Sequence, residues 1–453
     1  MPRRRVTSSL FGPLVALILC FTPLSTIATR QTPEATPVPS ASQEPVIFFA
    51  ADGMRPDLLE KYAADGALPT FADLIETGIH GDNGLLQAFP PNTGVGWATL
   101  ATGTWPGEHG STNNTFHRSG EADFAASTSF ATPGVLQADT LAQAAERAGK
   151  TVVAVEWPGA RGLDPALQGP VVDYRSFYSD RGVLTTVDLP GQPGGAEQFG
   201  VSYQRVDLEP AADWTNVPES FSPAMQQQLL QTSTAFPEEN NFDRAYDLYI
   251  YDSTDDGAVN YDNVLVVPAL AGGGASPVPA AKDGADSVAD LAAGEWQDVK
   301  VELAGERVGQ TAGFYLKAIE IAPDLSRLQI YYTSVARSNA TYLGCTYQPD
   351  CAEATGFEET LNADFASSTA ADFAPLEAGL VDEETYVEQG LLWREVHHAY
   401  LRFITEELGV APDLLLLGTP ITDEFSHQFL GLVSETDIDG DPNPFYDDLN
   451  ADG

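Results

Sequence analysis

Val46-Ile47-Phe48-Phe49-Ala50 is an unbroken apolar run of strand length, and it leads directly into Ala51-Asp52-Gly53. A run without apolar/polar alternation reads as a strand of a parallel sheet buried on both faces. The pattern recurs at 150–155, where Lys150-Thr151 precedes Val152-Val153-Ala154-Val155, and at 413–417, where Asp413 precedes four leucines. Helical spacing separates these strands, over 69–77 ending at Gly78, over 139–148 ending at Gly149, and over 386–408 ending at Gly409. Strand, helix, strand alternation at both ends of the chain predicts an α/β fold with a mostly parallel sheet flanked by helices. In open α/β sheets ligands bind beyond the carboxyl ends of the strands. Asp52 stands there, the first polar residue after its strand.

The middle of the chain has another character. From 162 to 344 turn residues separate alternating strands, clearest over 299–303, 314–321 and 328–335, with a Gly/Ala/Pro-rich loop at 271–280. We read a β-rich insertion over 162–344 that covers one end of an α/β core, the core comprising 46–161 and resuming at 345–453. The chain starts with Arg3-Arg4-Arg5, an apolar stretch over 10–21 and the small residues Ser25-Thr26-Ile27-Ala28. That order predicts a secretory signal peptide over 1–28, followed by a Pro/Thr/Ser-rich linker over 29–45, and a secreted or periplasmic location. Cys345 and Cys351 close a short loop able to hold one disulfide in such a compartment.

Charge limits the partners. Among 453 residues, Lys+Arg number 22 and Asp+Glu 65, a formal net charge of −43. Duplex nucleic acid and, after signal removal, anionic membrane are disfavoured because their phosphates are repelled. A small phosphate-ester substrate needs local positive charge, and with so few cationic side chains bound metal ions are the ready supplier.

Four segments carry candidate chemistry. Asp52-Gly53 after a strand suits a metal ligand held by a tight turn; the same pair also forms ordinary turns. Thr93, preceded by Pro90-Pro91 and followed by helix-compatible residues, falls at a helix N-terminus. A hydroxyl there faces an anion-favouring dipole and becomes a nucleophile when a metal lowers its pKa; otherwise it is only a cap. Asn114, in Gly107–Phe116, donates an amide hydrogen bond to a developing oxyanion or sits in a plain turn. His109 beside Gly110 reads as packing or capping. Asp423 and His427 are four apart, on one face of a helix, and carboxylate plus imidazole at that spacing suits a zinc-like ion. His80, His117, His397 and His398 read as structural. At the end of the chain, Asp437-Ile438-Asp439-Gly440-Asp441 is acidic, and Asp448-Leu449-Asn450-Ala451-Asp452-Gly453 matches the opening of a calcium loop, pointing to a structural Ca²⁺ or an acidic surface tail.

Together these motifs, in this order and at these spacings, resemble the nucleotide pyrophosphatase/phosphodiesterase family of the alkaline phosphatase superfamily, in its secreted bacterial form. The matching pieces are Asp52-Gly53-Met54-Arg55, Thr93 ahead of Thr102-Gly103, His109-Gly110 with Asn114 five beyond the His, and Asp423-x-x-x-His427. The resemblance implies an alkaline-phosphatase-like sheet and a two-metal hydrolase of phosphate esters. Thr93 would be the nucleophile and form a phosphothreonine. Asp52 with Thr93 would hold one divalent ion, Asp423 with His427 the other, both zinc by family habit, and Asn114 would contact the phosphoryl oxygens. The family also supplies an Asp-His pair and a further His after this last motif. No His follows His427, so the expectation is a C-terminally truncated chain that by itself lacks part of its metal sites.

Three other readings compete. Sulfatases need Cys or Ser in a Cys/Ser-x-Pro-x-Arg setting, which Cys345 and Cys351 lack. A phosphomonoesterase of the superfamily would grip the extra phosphate oxygens with an arginine, Arg118 or Arg161. A diesterase prefers apolar walls, for which Trp97, Phe116 and Trp157 are candidates if they are not core. A non-catalytic, secreted, Ca²⁺-stabilised binding protein is favoured by the acidic tail and opposed by the Thr93 and Asn114 motifs.

Overall fold

The computed structural model describes residues 44–81, 85–121, 123, 126–189, 200–233, 242–271, 278–344, 355–437 and 439–446. The expected signal peptide, most of the linker, the Cys345/Cys351 loop and the 448–453 calcium-loop opening lie outside them.

With strands numbered in chain order, the largest sheet has ten. It runs β1 (Val46–Ala51), β19 (Leu414–Thr419), β4 (Val152–Val155), β5 (Val171–Phe177), β18 (Ala336–Thr341), β16 (Thr311–Ile321), β17 (Leu328–Tyr332), β6 (Gly182–Thr185) and β7 (Ser202–Arg205), with β15 (Trp296–Glu302) also on β16. β1, β19, β4 and β5 are mutually parallel. They carry the expected α/β core, with helices on both faces. β4 shows why its apolar run is continuous. Val152 and Ala154 pack with Trp97, Trp157 and Leu416 on one face, while Val153 and Val155 pack with Leu415, Val396 and Tyr400 on the other.

β1 departs from expectation. It is parallel, but it pairs only with β19 and forms the sheet edge. Val46, Ile47 and Phe49 are 59%, 64% and 41% exposed. An unbroken apolar run specifies a strand with two apolar faces; it says nothing about whether both backbone edges find partners.

The β-rich stretch is not a separate cap. β5, β6, β7, β15, β16, β17 and β18 extend the core sheet edge to edge, mostly antiparallel. A second, five-stranded sheet, β14 (Ala289–Ala292), β11 (Asn263–Pro268), β10 (Arg244–Tyr251), β9 (Met225–Gln231) and β8 (Glu209–Pro210), packs Leu229, Tyr246, Leu248, Ile250 and Val264 against Phe314, Leu316 and Ile330 of the first. Two small ribbons, β2 (Thr115–Phe116) with β3 (Thr128–Ser129) and β12 (Leu270–Ala271) with β13 (Val278–Pro279), complete the strands. The expected long helix runs Glu383–Arg402, capped by Asp382, and continues as a wider π turn to Glu407.

Candidate functional site

The parallel register of β1 and β19 sets Ala51 opposite Thr419, so both strands end at the same level. The amide of Asp52 donates to Thr419 O at 3.2 Å. One turn later Thr422 Oγ1 donates to Asp52 O at 2.6 Å and to Thr419 O at 3.0 Å. The helix Ile421–Val433 is thereby bolted to the β1 turn with Asp423 in its first turn. Gly53 has φ +64°, and a Cβ there would lie 2.7 Å from both Asp423 Cα and Asp423 Oδ1. Only glycine allows this approach without strain. One turn along the helix, His427 Nε2 lies 3.3 Å from Asp423 Oδ2, realising the predicted pair. Burial and the charge of Asp52 push the Asp423 carboxyl above its ordinary range against the pull of His427. Glu424, beside it, is pushed up to about 7 by burial and by Asp423.

Thr93 is the first residue of the helix Thr93–Thr102. Asn92 caps it, its Oδ1 accepting from Val95 N at 3.2 Å. Asn92 Nδ2 donates to Asn113 Oδ1 at 2.6 Å, and Gly94 N donates to Asn114 Oδ1 at 2.6 Å. These bonds stitch the helix N-terminus to the Asn113-Asn114 turn. They also fix the Asn114 amide: its oxygen is taken by a backbone N–H, so its NH₂ remains as the free donor. Gly94 is required here, because a Cβ would meet Asn113 O at 2.8 Å and the Phe130 ring at 2.9 Å. Among the described residues the Thr93 hydroxyl makes no hydrogen bond. One turn on, Trp97 Nε1 donates to Asp52 Oδ2 at 2.9 Å, joining this helix to the β1 turn. His109 is fully buried, with Nδ1 accepting from Ser111 N and Nε2 on Thr99 Oγ1; burial holds it neutral. It packs, as expected.

Thr93, Asn114, Asp423 and His427 line one cleft of about 630 Å³. Asp52 does not line it; its carboxylate accepts from Trp97. Phe130, Tyr174, Phe373 and Glu424 also line the cleft, and sequence reasoning misses all four. Only Glu424 has a local signal, its place beside Asp423; the aromatics come from distant segments. Arg118, Arg161, Trp97, Phe116 and Trp157 do not line it, and Trp97 and Trp157 pack edge-to-face in the core at 4.9 Å.

Behind Tyr174 lies a buried charge cluster. Glu156 follows β4 at φ +50°, a conformation that is strained for a residue with a side chain. Its carboxylate meets Arg175 Nη2 at 3.5 Å and His397 Nε2 at 2.5 Å, and the Arg175 guanidinium stacks 4.1 Å over Trp393. Glu156 stays ionised because these partners outweigh burial; His397 is held neutral by burial and donates. His397 is thus structural, and His398 is exposed.

Asp52, Asp423 and His427 offer oxygen and nitrogen donors suited to a divalent cation, and Gly53 leaves the two carboxylates close enough to repel. The residues therefore fit a cation. Among the described residues no group of three or more His, Cys, Asp or Glu gathers at one point; the expected pairs, Asp52 with Thr93 and Asp423 with His427, would each give an ion two side-chain ligands. Catalytic zinc sites generally use three.

Residues 46–251 match the family model of type I phosphodiesterase / nucleotide pyrophosphatase. Searches of the curated proteins and of the solved structures return no match. The matched stretch contains β1, Asp52, Thr93 and Asn114, and over it the chain is similar to the type I phosphodiesterase / nucleotide pyrophosphatase family.

Proposed function

We propose that the cleft hydrolyses phosphodiesters through a covalent phosphothreonine on Thr93. The observation that carries this reading is the unbonded Thr93 hydroxyl at a helix N-terminus, in the same cleft as Asn114, Asp423 and His427. The Thr93 oxygen attacks phosphorus, one ester oxygen leaves as the alcohol, and water then cleaves the phosphothreonine to release a phosphomonoester. The NH₂ of Asn114 donates to a phosphoryl oxygen as negative charge builds, and the helix dipole favours the anion. Two divalent cations, zinc by the donor set, would be held by Asp52 with Thr93 and by Asp423 with His427, where they would lower the hydroxyl pKa and offset the carboxylates.

Diesters are favoured over monoesters by the walls. No Arg or Lys lines the cleft among the described residues, whereas Phe130, Tyr174 and Phe373 do. Such walls suit an apolar or aromatic second ester group. The basic and then apolar start of the chain supports action outside the cytoplasm.

The test is hydrolysis of bis(p-nitrophenyl) phosphate against p-nitrophenyl phosphate, with mass spectrometry of a quenched reaction. The diester is expected to be preferred, a p-nitrophenylphosphoryl group to be trapped on Thr93, and Thr93→Ala to abolish both turnover and trapping. Full activity of Thr93→Ala would refute the nucleophile.

A further inference from the structure

Three arginines are buried among the described residues: Arg175, Arg244 and Arg337. Two face carboxylates, Arg175 on Glu156, and Arg337 on Glu358 at 3.3 Å and Glu359 at 2.9 Å. Arg244, 5% exposed, has no carboxylate in ion-pair range among the described residues. Its Nη2 donates to the backbone O of Glu302 at 3.1 Å, its guanidinium stacks 4.6 Å over Phe242, and among the described residues its Nη1 has no partner. Burial pulls its pKa down, and the neighbouring Tyr246 phenol only partly opposes this. Burying a cation without a counter-charge is costly in a folded protein, and a chain with so many carboxylates had ample means to supply one.

The unpaired group borders a cavity. Arg244 opens β10 and shares its inward face with Tyr246, Leu248 and Ile250, so it points at the other sheet. Between the two sheets lies a cavity of about 170 Å³ walled by Arg244, Tyr246, Leu270, Val288, Val299 and Val301, with Lys300 and Glu302 at its edge, the Glu302 carboxylate accepting from Gly309 N at 3.0 Å. The Lys300 ammonium is committed elsewhere, to Phe365 O, Ser367 Oγ and Asp298. The cavity shares no lining residue with the Thr93 cleft.

We propose that this cavity binds a small organic carboxylate with an apolar body, its oxygens on Arg244 Nη1 and its hydrocarbon or aryl part against Tyr246, Val288, Val299 and Val301. One buried donor in a mostly apolar chamber matches a carboxylate, which has only two oxygens to satisfy. A phosphate would bury further oxygens without donors.

The test is thermal unfolding and calorimetric titration of the whole chain with benzoate, hexanoate and inorganic phosphate at constant ionic strength. Benzoate and hexanoate are expected to bind and to raise Tm, phosphate to do neither, and Arg244→Met to weaken benzoate by about tenfold or more. Leu270→Trp, which fills the cavity from its half-buried wall with Arg244 intact, should also block binding and keeps the test open if Arg244→Met fails to fold. Absence of binding by either acid to the unaltered protein would overturn the proposal. So would equal benzoate binding by Arg244→Met or Leu270→Trp, or phosphate binding as tightly as benzoate.

Discussion

The indole N–H of Trp97 donates to Asp52 Oδ2 at 2.9 Å, tying the helix that begins at Thr93 to the turn that ends β1. Thr93 and Trp97 are four apart and share a helix face, so this bond sets the Thr93 end of the helix relative to Asp52. Trp97→Phe keeps the ring against Trp157 and deletes the donor. It is expected to cost about 1–2 kcal/mol in urea unfolding and to lower kcat on bis(p-nitrophenyl) phosphate more than it raises KM. An unchanged kcat would separate Asp52 from the reaction.

Gly53→Ala places a methyl group where Asp423 already stands, at a backbone angle that disfavours it. A stability loss of about 1–2 kcal/mol from the left-handed conformation alone is expected, together with loss of diesterase activity as Asp423 is displaced. Gly66→Ala, also at positive φ but with nothing within 4 Å, serves as the control and should lose stability without losing activity.

Asn114→Asp keeps the oxygen that accepts from Gly94 N and removes the NH₂ facing the cleft. Turnover should fall by about 10²–10³-fold while circular dichroism and Tm stay near those of the parent. A similar rate for both proteins would show that Asn114 only anchors the helix.

Metal content is open to direct measurement. With two side-chain ligands per ion, Zn²⁺ added to chelator-stripped protein should bind weakly and raise Tm in a concentration-dependent way. Asp423→Asn should reduce that rise, leaving the Asp52/Thr93 site, and it should leave the stripped protein no less stable, because the repulsion from Asp52 is removed. Retention of the full zinc response in Asp423→Asn would exclude this ligand.

Acid should destabilise the buried cluster. His397 has its pKa lowered from 6.5 by burial, so the unfolded chain takes up the proton first and this stability is lost as pH falls below 6.5. Glu156 is lowered from 4.5, so its share is present above 4.5 and disappears at lower pH still. In urea unfolding followed downward from about pH 8, the gap between the parent and His397→Gln should stay flat and then narrow below about pH 6.5. A gap that widens on acidification would mean His397 is charged in the folded protein.

Much of the site is legible in the amino-acid order. The strands at β1, β4 and β19, the N-terminal place of Thr93, and the shared face of Asp423 and His427 follow from local periodicity and capping, which depend on neighbours only a few residues away. So does the assignment of His109 and His397 to packing. The cleft's aromatic wall, the bond from Trp97 across 45 residues to Asp52 and that from Thr422 across 370 to its backbone are not legible there. Nor is the pairing of Glu156 with His397.

The sequence by itself determined which segments become strands and helices and which polar side chains stand at their ends, because steric and hydrogen-bonding preferences act along the chain. Tertiary structure alone decided that β1 takes the sheet edge, that the β-rich stretch extends the core sheet, and which carboxylates face one another. Those outcomes depend on backbone edges and charges meeting across hundreds of residues, and no local pattern encodes such a meeting.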